Sequence, residues 1–394
     1  MVLNQSKIEK IVTVIFVLSI NLSAYPFIGS LTLGETLLFI MSAVLLFFTR
    51  KLSKVKGLVW FWGYIAIQSM VLLLLSVPYA EFTPTVNKFV VLSMKFFIVL
   101  SIAEHIDSRL LYKVYWIICL LAMVCVVIQA IQVWILNVPM SIMIPFAEVS
   151  SKAETLSYLA NRPSAFFLEP QYLCSFFLPL VIIELNKQDY VKASVLTAAT
   201  LLSTSTQGVV CVAIVWLLFL LMDSGRKLKY KLIMVVFILV FSIFFVYTDL
   251  FVGSIERLQS TSLDTNIRTA RAIEVFKAMP LFDKITGIGM GNVNNYLKYS
   301  HVCLEWILCE LAPAKNFISS FFGNFVELGI IGGIGYLLMT VGMFKSANKP
   351  GKIFVALILV SALSMTITYN VWMVFYWVIF YTISDNRKIE LMRW

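Results

Sequence analysis

The sequence predicts an all-α, polytopic transmembrane helical bundle. Of its 394 residues, 60% are hydrophobic and only 13% are charged, whereas about a quarter of the residues of a soluble chain are charged. The apolar residues form repeated, continuous runs of about 20 residues, the length that spans a bilayer. Lipid offers the backbone no hydrogen bonds, so such runs form helices or closed barrels. Their lack of polar–apolar alternation excludes a barrel.

The apolar runs predict about twelve spans, with eleven as the alternative. The last two runs are short and could form one bent or re-entrant segment. No small-residue cleavage site follows the first run, so we interpret it as a retained span and not as a signal peptide. The predicted spans lie near residues 9–25, 31–49, 57–77, 86–103, 111–136, 166–185, 190–204, 207–222, 230–252, 316–344, 352–367 and 370–384.

Basic residues predict the orientation of the spans. The net charge of +10 comes from short Lys and Arg clusters between apolar runs, such as Arg50–Lys56 and Arg226–Lys231, and does not indicate nucleic-acid binding. If the N-terminus is cytoplasmic, the strongly basic short turns and the basic C-terminus all fall on the cytoplasmic side. This agreement favours twelve spans, since eleven would place the basic C-terminus outside.

Two longer segments then face the extracytoplasmic side of this single membrane domain (1–394). Residues 137–165 form the first outer loop, and residues 253–315 form a large loop between spans nine and ten. A connection of that length is uncommon without a function. Cys303 and Cys309 in the large loop could pair in an oxidising compartment, or could point apart on a helix. No Cys/His pattern has zinc-site spacing, so we expect no metal site.

The first candidate site opens span six, in the segment Asn161–Tyr172. Arg162 and Glu169 bracket the outer start of an otherwise apolar run, and ionisable residues at membrane depth are functional candidates by default. The alternative is that Arg162 snorkels to lipid headgroups and Glu169 caps the helix, with Pro170 in its first turn.

The second candidate is a predicted helix in the large loop, from Asn266 to Lys277. Arg268 and Arg271 are three residues apart and therefore share one helical face. Two guanidinium groups on one face suit bidentate binding of phosphate oxygens. The alternative is a solvated surface helix in which Glu274 pairs with Arg271.

The third candidate is a glycine-rich turn. Gly287, Gly289 and Gly291 alternate with apolar residues and precede Asn292. Alternate glycines allow the backbone to approach a ligand closely, and we expect them to leave their N–H groups free to bind it. No βαβ unit surrounds them, so they do not form a dinucleotide-binding turn.

The fourth candidate opens span ten. Lys315 and Asn316 precede the apolar run, where Asn316 can cap the helix. Glu327 lies two to three turns into the span and needs a partner there. The alternative is a packing span, with glycines at the contact and with this carboxyl bonded to a neighbour.

These candidates, together with the segment Ser203–Gly208, form four motifs that, taken in order, resemble one family. They read Arg-x4-Phe-x-Glu-Pro from Arg162, Ser-Thr-Ser-Thr-Gln-Gly from Ser203, a loop Arg followed by Gly-x-Gly-x-Gly-Asn, and Asn316-x10-Glu-Leu-Gly-Ile-Ile-Gly. Over residues 160–335 this pattern resembles the bacterial O-antigen polymerases of the Wzy type, within the O-antigen ligase/polymerase superfamily. The number of predicted spans also resembles that of the family, and this likeness covers the whole chain.

The resemblance implies a multi-pass protein of the bacterial inner membrane, with cytoplasmic termini and a periplasmic large loop. It implies a glycosyltransferase that needs no metal or other cofactor. This enzyme would polymerise O-antigen repeat units carried on undecaprenyl pyrophosphate, in contact with membrane lipid and a chain-length regulator protein. The implied catalytic residues are Arg162, Glu169 and Arg268. The implied pyrophosphate- and glycan-binding residues are Arg271, which fits the loop arginine equally well, Gly287, Gly289, Gly291, Asn292, Lys315, Asn316 and Glu327.

Two other functions stay open. One is an O-antigen ligase that transfers a finished glycan, although the related ligases carry His-Asn where this chain has Lys315-Asn316. The other is a flippase or transporter of lipid-linked oligosaccharides. A transporter should place charges along midplane spans and would not need a long structured outer loop.

Overall fold

A computed structural model describes residues 5–28, 31–49, 52, 56–138, 140, 162–222, 267–300 and 318–392. Most of these residues are helical, as the sequence predicts, and the strands among them form one two-stranded hairpin, β1 (Pro26–Ile28) with β2 (Leu31–Thr32). Predicted span nine lies outside the described residues, as do most of the 137–165 loop and the part of the large loop that holds Cys303, Cys309, Lys315 and Asn316.

The helices follow the predicted apolar runs and add short helices in the large loop. In chain order they are α1 (Gln5–Asn21), α2 (Leu33–Thr49), α3 (Lys56–Leu74), α4 (Phe82–Ile102), α5 (Ser108–Trp134), α6 (Pro170–Lys187), α7 (Tyr190–Leu202), α8 (Thr206–Met222), α9 (Ile267–Ala278), α10 (Leu281–Thr286), α11 (Val293–Ser300), α12 (Ser320–Ser346), α13 (Lys349–Ser364), α14 (Val371–Ile383) and α15 (Asn386–Leu391).

Four helices of the described residues, α3, α4, α5 and α12, are long and apolar enough to cross a membrane by length and composition. Shorter apolar helices accompany them, including α2, α7, α8 and α14. Large apolar side chains also face outward, with Phe47 79% and Trp60 80% exposed. A surface of this kind indicates contact with lipid. The chain is therefore a multi-pass helical membrane protein, and the predicted number of about twelve spans stays a prediction.

Polar residues fix where several helices begin. Asp107 accepts hydrogen bonds from the N–H groups of Arg109 (3.0 Å) and Leu110 (3.1 Å) at the start of α5. Asn348 accepts from Gly351 N (2.9 Å) at the start of α13. Such caps satisfy N–H groups that have no partner within the helix. They define the ends of helices whose interiors are almost uniformly apolar.

A buried ion pair joins α2 to α4. Lys95 Nζ lies 2.9 Å from Glu35 Oε1, and the two side chains are 1% and 3% exposed. The other carboxylate oxygen accepts from Thr32 N at 3.0 Å. Removing one partner of such a pair leaves an uncompensated buried charge, which costs about 3–5 kcal/mol. The pair therefore fixes how α2 packs on α4.

Helix α6 is enclosed on all of its faces, because every residue from Leu173 to Leu185 is buried. It packs against α7, α8 and α13. Helix α12 runs between α3 and α13 and also contacts the short helices α9 and α10. The linker between α13 and α14 contacts α6, α8 and α12.

The described part of the large loop is folded. The predicted helix at 266–277 is confirmed as α9, and α9 and α11 share a small core that includes Val275 and Tyr296 with Val326 of α12. The Tyr79 hydroxyl donates a hydrogen bond to Asp283 of α10. Burial raises the pKa of Asp283, and the hydrogen bond from Tyr79 opposes that rise. These contacts hold the short helices against α12.

Candidate functional site

Helix α12 is interrupted at Gly329, which has φ 70° and ψ −174°. Essentially only glycine adopts this conformation. The interruption frees carbonyl oxygens that would otherwise accept bonds within the helix, and buried carbonyls need donors. Leu328 O accepts from the Tyr64 hydroxyl at 2.8 Å, and Glu327 O accepts from Gln68 Nε2 at 2.8 Å. Two side chains of α3 therefore stabilise the break.

The glycine-rich segment Gly287–Gly291 donates two further hydrogen bonds to carbonyl oxygens of α12 just before the break. Ile288 N donates to Val326 O at 3.2 Å, and Gly289 N donates to Glu327 O at 2.9 Å. The segment thus lies along the last turn before the break in a short backbone pairing. Two predicted motifs that are distant in sequence form one structural unit.

Gly287 and Gly329 allow the two backbones to touch. Gly287 has φ 81° and ψ 164°, again a glycine conformation. A Cβ on Gly287 would lie 2.3 Å from Glu327 O, and a Cβ on Gly329 would lie 2.3 Å from Ile285 O. No side chain fits at either position without moving the backbone.

The three N–H groups of the glycine-rich turn are all used inside the protein. Gly287 N donates to Asp283 O at 2.7 Å, and Gly289 N donates to Glu327 O. Gly291 N donates to the Glu327 carboxylate at 3.0 Å. The expectation of free N–H groups is not met here, because the break in α12 offers its own acceptors. The turn positions Glu327 instead.

The Glu327 carboxylate has the partners that the sequence required of it. One oxygen accepts from Gly291 N at 3.0 Å, and the other accepts from the Tyr369 hydroxyl. Only 2% of the residue is exposed. Lys88 Nζ lies 4.8 Å from the centre of the Tyr369 ring on the same side of the bundle. A carboxylate is thus held by two donors, with a cation close by.

A small polar cavity lies beside this carboxylate. Its volume is about 10 Å³, close to the minimum for one water molecule. Ser319, Asn324, Glu327, Thr368 and Tyr369 contribute to its lining. Ser319 Oγ and Asn324 Nδ2 are buried and have no hydrogen-bond partner among the described residues.

One wall of this polar cavity is the α13–α14 linker, Met365–Asn370. Ser320 N donates to Met365 O at 2.9 Å, Thr368 N donates to Ser320 Oγ at 2.9 Å, and Thr366 Oγ1 donates to Ile318 O at 2.9 Å. The linker is extended at Met365, forms a turn at Ile367–Asn370 and runs along the start of α12. The two short final runs are therefore separate helices that meet inside the protein.

An apolar crevice adjoins the polar cavity. Its volume is about 50 Å³, and it runs between α3, α4, α12, α13 and α14. Phe61, Met339 and Trp377 line it, and it shares Ser320 and Thr368 with the polar cavity. The polar cavity and the apolar crevice therefore adjoin at Ser320 and Thr368.

The segment before α6 is fixed by a buried glutamine of α5. Gln129 Oε1 accepts from Ser164 N (3.0 Å) and Ala165 N (2.7 Å), and its Nε2 donates to Ala165 O at 3.1 Å. Glu169 then occupies the N-cap position of α6, without a capping hydrogen bond from its side chain. Its carboxylate accepts a hydrogen bond from the amide of Gln171.

Arg162 is half-buried and precedes α6. The Arg162 charge acts on the thiol of Cys174, whose Sγ is 3.2 Å from Ser203 Oγ in the Ser203–Gly208 turn. The turn leads into α8, where Ser205 Oγ accepts from Gly208 N at 3.4 Å. The half-buried arginine and the positive end of a helix dipole therefore occur together.

Residues Met365–Trp372 contact all four predicted motifs. This segment was not singled out by the sequence, yet it lies between motifs that are up to 160 residues apart in the chain. The contacts are Phe167 with Trp372 (6.3 Å between ring centres), Gln207 Nε2 with Met365 Sδ (3.0 Å), the Tyr369 hydroxyl with Met290 Sδ (3.1 Å), and the same hydroxyl with Glu327.

The remaining predicted residues divide into two groups. Asn292 is fully buried, and its Nδ2 donates to Thr85 Oγ1 (2.9 Å) and Ile288 O (3.3 Å), so it anchors the glycine-rich turn. Arg268 and Arg271 lie in the first half of α9. The structure describes the backbone of α9 at these two positions but not the two side chains.

Several site residues were missed by the sequence reasoning. Tyr369, Asn324, Ser319 and Gln68 are polar residues within or between apolar runs. Single uncharged polar residues are common in membrane helices, where they pair with other helices. Their spacing therefore carried no signal, and only the fold brings them to Glu327.

Because Gly287 and Gly329 lie in contact, even an alanine at either position should destabilise the folded protein. Gly287→Ala and Gly329→Ala should each destabilise the protein by roughly 1–3 kcal/mol through the backbone alone, and further through steric overlap. Gly342→Ala is the matched control, because a Cβ there meets open space and alanine favours a helix. Thermal unfolding of the purified protein in detergent measures the effect. Equal melting temperatures for all three variants would contradict the close contact.

The comparisons with known proteins give no family. No family model matches the chain, and no curated protein matches it.

Proposed function

We propose that the protein polymerises O-antigen repeat units linked to undecaprenyl pyrophosphate, by glycosyl transfer at the periplasmic face of the bacterial inner membrane. The motif resemblance supplies the reaction and the substrate class. The growing glycan is the donor, a single lipid-linked unit is the acceptor, and undecaprenyl pyrophosphate leaves the anomeric carbon. The arrangement of the described residues supports this proposal.

The observation that carries the proposal is the convergence of the four motifs on Met365–Trp372. Each motif alone is a loose pattern. Contacts between one eight-residue segment and Phe167, Gln207, Met290 and Glu327 are expected if the motifs build one site. They are not expected of four unrelated helix ends.

The two adjoining cavities suit a lipid-linked sugar. The polar cavity offers hydrogen-bonding groups for sugar hydroxyls, and the apolar crevice offers an apolar surface between helices for a hydrocarbon chain. Ser320 and Thr368 belong to both. A substrate with a polar head and a long apolar tail matches this division better than a small soluble molecule does.

Arginines are suited to stabilise the leaving pyrophosphate. The resemblance implies a reaction without a metal, so side chains must balance the developing charge. Arg162 beside the start of α8 combines a guanidinium group with the N-terminus of a helix, and both favour phosphate groups. The resemblance implies that Arg268 or Arg271 of the large loop supplies a second cationic group for the same pyrophosphate. This assignment makes Arg162 and Arg268 catalytic residues and Arg271 a neighbour able to substitute.

Deletion of the gene tests the reaction class. Surface polysaccharide of the deletion strain, separated on a gel, should show a single repeat unit attached to its acceptor in place of a ladder. Chain growth stops without a polymerase, but transfer of one unit continues. Complementation with the intact gene should restore the ladder.

The same gel separates the alternatives. A strain without a ligase would attach no glycan and would retain lipid-linked chains. A strain without a flippase would accumulate units on the cytoplasmic side and attach none. An unchanged ladder would contradict a role in the synthesis of that glycan.

Arg162→Ala should reduce chain growth about 10²–10³-fold, the effect of removing one preorganised donor to transition-state charge. Complementation of the deletion strain measures chain growth, with membrane levels of the protein quantified in parallel. Arg109→Ala is the matched control, because Arg109 is an exposed arginine at the opposite end of the predicted topology. Full activity of both Arg162→Ala and Arg268→Ala would eliminate the arginine mechanism.

A further inference from the structure

The polar cavity contains hydrogen-bonding groups that the fold does not use. Asn324 is 2% exposed and Ser319 is 0% exposed, and both line the cavity. The Asn324 amide nitrogen and the Ser319 hydroxyl have no partner among the described residues. An unsatisfied buried polar group costs about 1–3 kcal/mol. Two such groups facing one cavity indicate a ligand that completes them.

Glu327 supplies the acceptor of the same cavity. A carboxylate has about four lone-pair positions, and Gly291 N and the Tyr369 hydroxyl occupy one on each oxygen. Those two donors fix the carboxylate from two directions and leave an acceptor position on each oxygen. The carboxylate is therefore held in place without being saturated.

The donor and acceptor pattern selects the chemistry of the ligand. A hydroxyl group donates one hydrogen bond and accepts two. It can donate to Glu327 and accept from Asn324 Nδ2 and Ser319 Oγ. A phosphate would instead bring its negative charge against a buried carboxylate. A volume of about 10 Å³ admits one hydroxyl group or one water molecule.

Among the described residues that line the cavity, Glu327 is the one His, Cys, Asp or Glu side chain. The described residues contain no cluster of three or more His, Cys, Asp or Glu side chains that could hold a metal ion. Glu327 has a tyrosine hydroxyl and an amide N–H as its neighbours, which are donors and not ligands. The nearby cation is Lys88, which stacks on the other partner, Tyr369.

We infer that the polar cavity receives the attacking hydroxyl of the acceptor sugar and that Glu327 is its general base. This inference rests on the proposed function and deepens it. The hydroxyl oxygen forms a bond to the anomeric carbon of the donor while its proton passes to a free position on the Glu327 carboxylate. The bond from the anomeric carbon to pyrophosphate breaks, its electron pair leaves with the pyrophosphate, and Glu327 later releases the proton to water.

The position of Glu327 suits this role better than that of Glu169. Glu169 lies at the first turn of α6 with a partly exposed side chain and accepts a hydrogen bond from Gln171. Glu327 is enclosed and lines the polar cavity with its unsatisfied donors, and this cavity adjoins the apolar crevice. Tyr369 and Gly291 are then positioning residues for the base, and Asn324 binds the substrate hydroxyl.

The test is a rate measurement on the full-length protein in lipid nanodiscs. The substrate is the lipid-linked repeat unit extracted from the deletion strain, and the products are separated by chain length. Glu327→Gln keeps the size and the acceptor oxygen but removes the base. It should lower kcat by at least about 100-fold, within the range for general bases, with KM unchanged. Formate should partly restore the activity of Glu327→Ala.

A second variant probes the cavity independently of the carboxylate. Asn324→Ala removes a donor that makes no hydrogen bond with the described residues, so little folding energy is lost. It should raise KM for the repeat unit about tenfold, the value of one hydrogen bond of about 1.4 kcal/mol. Glu184→Gln is the matched control. This buried carboxyl bonds Trp116 at 2.9 Å in the last turns of α6, far from the cavity, and its variant should keep the wild-type kcat.

The outcomes separate the inference from the function. No chain growth by the wild-type protein would contradict the proposed function itself. Chain growth by the wild type together with a normal kcat for Glu327→Gln would contradict the general base alone. If Glu327→Gln does not fold, the KM of Asn324→Ala tests the inference instead. An unchanged KM would show that the acceptor hydroxyl does not bind in this cavity.

Discussion

The site depends on one backbone contact, in which the glycine-rich turn lies against the break in α12. Ile288 N and Gly289 N donate to carbonyl oxygens that the break at Gly329 releases. Gly287 and Gly329 meet so closely that neither position tolerates a Cβ. Free carbonyls in a membrane helix must find donors within the protein. The break and the turn therefore stabilise each other, and neither is expected to persist alone.

This contact determines where the functional groups lie. Because the turn ends with Gly291 N on the Glu327 carboxylate, the side chain points toward the α13–α14 linker and not toward lipid. Tyr369 of that linker completes the arrangement and also touches Met290. The same linker contacts α6 and α8 through the sulfur of Met365. Groups from distant parts of the chain thereby surround two connected cavities.

Some parts of this structure can be predicted from the sequence, and other parts cannot. Long apolar runs define helices such as α5 and α12, because lipid leaves the backbone no other choice. The helix at Arg268 and Arg271 and the need of Glu327 for a partner also follow from the pattern. The identity of that partner does not, since Tyr369 is one aromatic residue among many. The use of the glycine N–H groups was likewise hidden, because it depends on a helix break 42 residues after Gly287.

The most direct test is a cryo-EM structure of the protein in nanodiscs with bound lipid-linked repeat units. The account predicts an interruption of α12 at Gly329, with the Glu327 carboxylate on Gly291 N and the Tyr369 hydroxyl. It also predicts sugar density within hydrogen-bonding distance of Glu327 and Asn324. A continuous helix through Gly329, or sugar bound away from an empty Glu327 cavity, would contradict it.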